Sequence, residues 1–145
     1  MGRPEAVKLL LDTHVFLWWS TNSRRLGSRS RRLISEADAV YVSAASAWEA
    51  AIKLALGRLR LQDPFASLVE GSGFQELPIT FSHAEQLLAL PRHHADPFDR
   101  MLVAQAQSPG FSRMPGGSEH TCRGSVALLN AVGRRFCSVP CDSRF

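Results

Sequence analysis

The feature that most constrains this chain is a pair of short, mostly apolar runs, each closed by a polar residue and followed by a helical pattern. Val7–Leu11 reads VKLLL and ends at Asp12; Ala39–Ser43 reads AVYVS. Runs of five are too short for helices and suit strands buried on both faces. Between them, Val15, Phe16, Leu17 and Trp18 predict a short helix, and the Arg-rich stretch from Asn22 to Ala37 spaces Leu26, Leu33 and Ile34 for one helical face. Strand, helix and strand in that order predict an α/β fold with a mostly parallel sheet. Ligands in such sheets bind beyond the carboxyl ends of the strands, where Asp12 stands and where Glu49 follows about one turn into the next helix.

The rest of the chain to residue 107 continues the alternation. Trp48, Ile52, Ala55 and Leu56 recur at i, i+4, i+7 and i+8, which predicts a helix over Ala44–Gly57 with one apolar face, and Glu49 and Lys53 stand four apart on another. Asp63-Pro64 opens a further short helix that Gly71-Ser72-Gly73 closes, and Phe74–Ile79 is a third strand candidate. Ser82-His-Ala-Glu85 reads as a capping box for a helix through Leu87 and Leu88, ended by Pro91. In Asp96-Pro97-Phe98-Asp99, Asp96 suits a helix N-cap, Pro97 the first helical position and Asp99 the third, with Met101, Leu102 and Ala106 on the apolar side.

Composition sets the outer bounds. With 145 residues, 45% apolar and 21% charged, the chain is sized for one domain and is not a disordered one. No run approaches the ~20 apolar residues of a membrane span and no basic-then-apolar leader is read, so a cytoplasmic location is expected. The net charge of +4 points only weakly to a polyanionic partner, because residues 108–145 hold five Lys+Arg against two Asp+Glu and so carry most of the excess. Arg24, Arg25, Arg29, Arg31 and Arg32 read as a solvated face, with an RNA-facing or partner-facing patch as the alternative.

Four acids stand at privileged places: Asp12, Glu49, Asp96 and Asp99. Acids gathered together repel, so such a cluster needs a cation, a shared proton or a basic partner. An all-oxygen set suits hard cations, Mg²⁺ or Mn²⁺, rather than zinc. Each acid also has a structural use. Asp12 suits a helix cap, Glu49 suits an ion pair with Lys53, and Asp96 with Asp99 completes a capping pattern.

Three blocks of sequence together tip the balance. Leu9-Leu-Leu-Asp12-Thr-His14 with Phe16-Leu-Trp18, then Val42-Ser-Ala-Ala-Ser46-Ala-Trp48-Glu49-Ala-Ala-Ile-Lys53, then Asp96-Pro-Phe-Asp99-Arg-Met-Leu-Val-Ala-Gln105-Ala resemble the PIN-domain family, in its VapC-like branch of toxin ribonucleases from type II toxin–antitoxin systems. The resemblance covers about residues 8–107. It implies a PIN-like three-layer sandwich, its mainly parallel central sheet flanked by helices, and a metal-dependent endoribonuclease. By that resemblance Asp12, Glu49 and Asp99 are the catalytic acids, and Asp12, Glu49, Asp96 and Asp99 the metal ligands, for Mg²⁺ or Mn²⁺. Thr13, Ser43 and Ser46 orient waters or carboxylates, or merely cap helices. The implied reaction is in-line attack of an activated water on an RNA phosphodiester. The implied partners are the RNA substrate and a cognate antitoxin, with a homodimer and no membrane; Phe16, Trp18 and Trp19 either line an antitoxin groove or pack in the core.

The tail departs from this pattern, so residues 1–107 are read as a PIN-like nuclease domain and residues 108–145 as an atypical tail, frameshifted or disordered, with the C-terminal strands lost or altered. From Ser108 onward there are five glycines, three prolines and all three cysteines; only Val126–Val132 suggests a short helix, and no return strand is read. The family's fourth acid, after that return strand, is missing: no Asp stands between Asp99 and Asp142, and Glu119 lacks a preceding strand. If Gly116–Thr121 is encoded GGC GGA TCC GAA CAT ACC, a shift of one base reads Ala-Asp-Pro-Asn-Ile, an acidic turn of the kind the family has there. The alternative function is therefore a catalytically degenerate PIN protein that only binds antitoxin or RNA. A zinc site from His120, Cys122, Cys137 and Cys141 is a weaker rival on spacing, and His93-His94 read as loop residues near the site entrance.

Overall fold

A computed structural model describes residues 7–90, 96–108, 125–129 and 135–136, the last two stretches by their backbone alone. In chain order the elements are β1 (Val7–Leu11), α1 (Thr13–Ser20), α2 (Ser28–Glu36), β2 (Ala39–Ser43), α3 (Ala44–Ala55), α4 (Phe65–Gly71), β3 (Gln75–Leu77), α5 (Phe81–Gln86), a 3₁₀ turn (Leu87–Ala89), α6 (Pro97–Gln107), β4 (Ser125–Leu129) and β5 (Arg135–Phe136). The sheet has the order β3-β2-β1-β4-β5. β1 pairs in parallel with β2 and β4, β2 in parallel with β3, and β5 runs antiparallel to β4.

Burial on both faces explains why β1 and β2 read as near-continuous apolar runs. Successive side chains alternate across a strand. Leu9, Leu11, Val40 and Val42 pack on one face with Val15, Phe16, Leu17, Leu26, Ile34 and Val69, under α1, α2 and α4. Leu10, Ala39 and Tyr41 pack on the other with Leu77, Leu102 and Ala106, under α6. This is the expected α/β architecture of a sheet between helical layers. Phe16 is fully buried and packs at 5.0 Å, centroid to centroid, from Phe65, while Trp18 and Trp19 lean partly buried on the same cluster. Burial of a ring like Phe16 contributes roughly 1.5–3 kcal/mol. Phe16 is thus core rather than groove. Lys8, on the Leu10 side of β1, is buried too, and burial pulls its ammonium below the ordinary lysine range.

Three local expectations need correction. First, the apolar stripe of α3 faces outward: Trp48, Ile52 and Leu56 are 62%, 39% and 60% exposed, while Ala45, Ser46, Glu49 and Ala50 are buried. A helical period tells that two faces differ, not which one docks. Here the small side chains let α3 approach its neighbours closely. Second, the capping box of α5 is Thr80 with His83, not Ser82 with Glu85: the Thr80 N–H donates to His83 Nδ1 at 3.1 Å and the His83 N–H to Thr80 Oγ1 at 3.4 Å. Third, the segment read as a helix at 126–132, with no return strand, instead contains β4, which pairs with β1 from Val7↔Ser125 to Leu11↔Leu129. A short apolar run does not distinguish strand from helix by its periodicity; pairing with a neighbour decides. Cys122, Cys137, Cys141, His93, His94, Glu119 and the Gly116–Thr121 turn lie outside the described residues.

Candidate active site

Asp12 leaves the carboxyl end of β1 with extended backbone (φ −63°, ψ 151°) and caps α1, its carboxylate accepting the His14 N–H at 3.4 Å. A carboxylate there meets the positive end of the helix. The Asp12 side chain is 14% exposed, and its Oδ1 stands 3.9 Å from His14 Nδ1. Interaction with that side chain raises the His14 pKa, against burial and the charge of Lys53, which lower it.

Thr13, the next residue, is fully buried and reaches across to α3. Its Oγ1 lies 2.7 Å from Glu49 Oε2 and 3.0 Å from Ser46 Oγ. A hydroxyl has one proton and a carboxylate only accepts, so Thr13 donates to Glu49 and receives the Ser46 proton. The other Glu49 oxygen, Oε1, is 2.9 Å from Lys53 Nζ. Glu49 is therefore buried but doubly satisfied, by a hydroxyl from within and an ammonium from outside. Sequence spacing offered the Lys53 pair and the functional acid as alternatives; the structure makes the pair, and places it at the strand ends.

Ser43 fixes where α3 starts. Its Oγ accepts the Ala45 N–H at 3.0 Å as N-cap and donates to Gln105 Oε1 at 2.5 Å. Gln105 Nε2 in turn donates to the Pro78 carbonyl at 3.2 Å and lies 3.4 Å from His83 Nδ1. This buried amide ties β2, α5 and α6 together. Sequence reasoning did not single it out, although a Gln on the apolar side of a helix is a signal for a buried polar link.

Asp96 and Asp99 sit at the start of α6, as expected. Asp96 Oδ1 accepts the N–H of Phe98 at 2.8 Å and of Asp99 at 3.4 Å, and Pro97 occupies the first turn. Both acids are exposed, unlike Glu49. The first turn of α6 is held beside α3 by an edge-to-face contact between Trp48 and Phe98, centroids 5.1 Å apart. Glu49 and Asp99 thus follow directly on two residues in contact. Among the described residues, no three His, Cys, Asp or Glu side chains stand close enough to share a metal ion. The donor chemistry nevertheless suits a hard divalent cation, since Asp12 and Glu49 are carboxylates, and Thr13, next to Asp12 in the chain, bonds Glu49. A cavity of about 650 Å³ lined by Val42, Ala47, Phe65, Val69 and Phe74 contains none of the four acids.

Of the five arginines of the α2 region, Arg24, Arg25, Arg29 and Arg32 are exposed, Arg32 pairing with Glu36 at 3.0 Å, while Arg31 is half-buried and donates to the Ser23 carbonyl. No helix among the described residues is long and apolar enough to cross a membrane.

Comparison with known proteins agrees with this geometry. The PIN domain model matches residues 9–114. Ribonuclease VapC22 of Mycobacterium tuberculosis (strain ATCC 25618 / H37Rv) is 34% identical over 106 residues, which cover 71% of this chain and 82% of that relative. With a parallel sheet between helical layers and a family match across most of its length, the chain belongs to the PIN domain family.

Proposed function

We propose that this protein is a metal-dependent endoribonuclease, a toxin of a type II toxin–antitoxin system acting in the cytoplasm on RNA phosphodiester bonds. The observation that carries the reading is the Thr13–Glu49 hydrogen bond of 2.7 Å, which ties the residue after Asp12, at the carboxyl end of β1, to the acid of α3. Similarity to a protein named a ribonuclease supports the reaction class. Asp12, Glu49 and Asp99 are the catalytic acids; with Asp96 as accessory ligand they would hold Mg²⁺ or Mn²⁺. When bound, the ion supplies the positive charge that activates water and neutralises the scissile phosphate.

The chain's own residues do the rest. Thr13 and Ser46 aim Glu49, so that the carboxylate loses little freedom on binding a ligand. Asp12 is fixed by its capping bond, and Ser43 with Gln105 locks α3 to α6 so that the acids on these helices keep their spacing. The exposed stripe of Trp48, Ile52 and Leu56 supports a homodimer or antitoxin contact on the outer face of α3. Residues 1–107 carry the proposed site, and the segment 108–145 supplies β4 and β5 to the same sheet.

The second reading, a degenerate PIN protein that binds antitoxin or RNA without cutting, draws on the absent three-acid group among the described residues. Cleavage of a panel of structured RNAs with Mg²⁺ or Mn²⁺ separates the two, comparing this chain with Asp12→Ala. Metal-dependent cutting that the substitution abolishes is the expected result. A folded, monodisperse protein that binds RNA and never cuts it supports the second reading instead.

A further inference from the structure

An ordinary helical ion pair lies in the open. Arg32 and Glu36, also four apart, meet at 3.0 Å with side chains 78% and 63% exposed. Lys53 and Glu49 meet at 2.9 Å with side chains only 31% and 11% exposed. Such a pair is less screened by water, and its partner carboxylate is already hydrogen-bonded on the other oxygen by Thr13. Every oxygen of Glu49 is therefore engaged, and the one facing outward is engaged by a cation.

We propose that Lys53 is a positioning residue that holds the cation place on Glu49 Oε1 until a divalent ion takes it, so that metal loading and release of the ammonium are one exchange. The proposal rests on the reading of the site as a divalent-metal nuclease. Three features of the contact argue for it. A divalent ion bonds a carboxylate oxygen at about 2.0–2.6 Å, inside the distance that the ammonium now occupies, and the two cations repel. Lys53 is the mobile partner, on a flexible stem and partly in solvent, whereas Thr13 is fully buried and stays. The ammonium also offsets the cost of burying the Glu49 carboxylate while no metal is bound.

The chain has two lysines, Lys8 and Lys53, which makes the exchange directly visible. Full-length protein carrying ¹³Cε-lysine gives two signals, and Lys53→Arg assigns them by deleting one. During a Mg²⁺ titration the Lys53 signal is expected to move with the midpoint of the calorimetric isotherm while that of buried Lys8 stays. Lys53→Met should bind Mn²⁺ about three- to tenfold more tightly than wild type. Its thermal midpoint without metal should be lower, and Lys53→Arg should bind no more tightly than wild type. A Lys53 signal that stays fixed while the isotherm saturates, or a Lys53→Met protein that binds Mn²⁺ no more tightly, overturns the exchange and leaves the metal site standing. Absence of binding heat in both wild type and Lys53→Met, with the protein folded, overturns the metal reading and the exchange with it.

Discussion

The two halves of the candidate site are built by different means. In the β1–α3 half, Thr13, Ser46, Glu49 and Lys53 form a continuous chain of contacts between 2.7 and 3.0 Å that crosses from one element to the other, beside Asp12, which caps α1. In the α6 half, Asp96 and Asp99 are exposed, and among the described residues Asp96 bonds only within its own helix turn. The first half is preorganised by tertiary packing; the second is preorganised by local capping. The difference teaches which substitutions report on chemistry and which on folding, because a buried, cross-linked acid cannot be altered without disturbing its partners, whereas an exposed cap can be replaced by an isostere.

The comparison breaks most visibly at Glu49. Glu49→Gln keeps the shape and the Thr13 bond but loses the Lys53 ion pair with the charge, and is expected to lower metal-dependent RNA cleavage by at least about 100-fold, read from initial rates. Thr13→Val comes next. It leaves a buried carboxylate oxygen without its donor, so chemical denaturation should show a loss of about 1–3 kcal/mol, with cleavage falling roughly tenfold. In the α6 half, Asp96→Ala should cost about 1 kcal/mol through the lost N-cap, while Asp96→Asn, which still caps, should stay within about 0.5 kcal/mol. If Asp96→Asn keeps the stability and loses cleavage, Asp96 is a ligand as well as a cap.

A pH titration sharpens the same contrast. Burial lowers the pKa of His83 in its capping box. The unfolded chain then takes up that proton first, so the contribution is full above the ordinary imidazole range and is lost as pH falls toward the depressed folded-state value. His14 runs the other way: Asp12 raises its pKa, so its contribution is full at low pH and fades as pH rises through the raised value. His83→Gln should flatten the acid side of the stability profile and His14→Gln the near-neutral side, measured as thermal midpoint against pH. The smallest effect is expected on the outer face of α3. Ile52→Ser changes monomer stability by less than about 0.5 kcal/mol, because the residue is already partly in water, yet should weaken any self-association seen by sedimentation.

How much of this was legible follows the range of the interaction involved. The strands at 7–11 and 39–43 and the Asp96–Pro97 cap depend on neighbours within a few residues, and the sequence pattern carries them directly. The Thr13–Glu49 bond spans 36 positions and exists only because α3 docks by its small face. The same inversion hid the outward stripe of Trp48, Ile52 and Leu56, since periodicity has no sign. The role of Gln105 is invisible in its motif, because its three partners come from β2, the segment after β3 and α5. β4 escaped because an apolar run of five becomes a strand only when β1 is beside it.

On the proposed reading, the β1–α3 half forms the core of a divalent-metal site. Calorimetric Mn²⁺ titration of wild type, Glu49→Gln and Asp96→Asn tests it most directly. Wild type is expected to bind, Glu49→Gln to lose binding at least tenfold, and Asp96→Asn to bind within about threefold of wild type. Glu49→Gln binding as wild type does, with binding lost in Asp96→Asn, would contradict it and move the centre of the site to the start of α6.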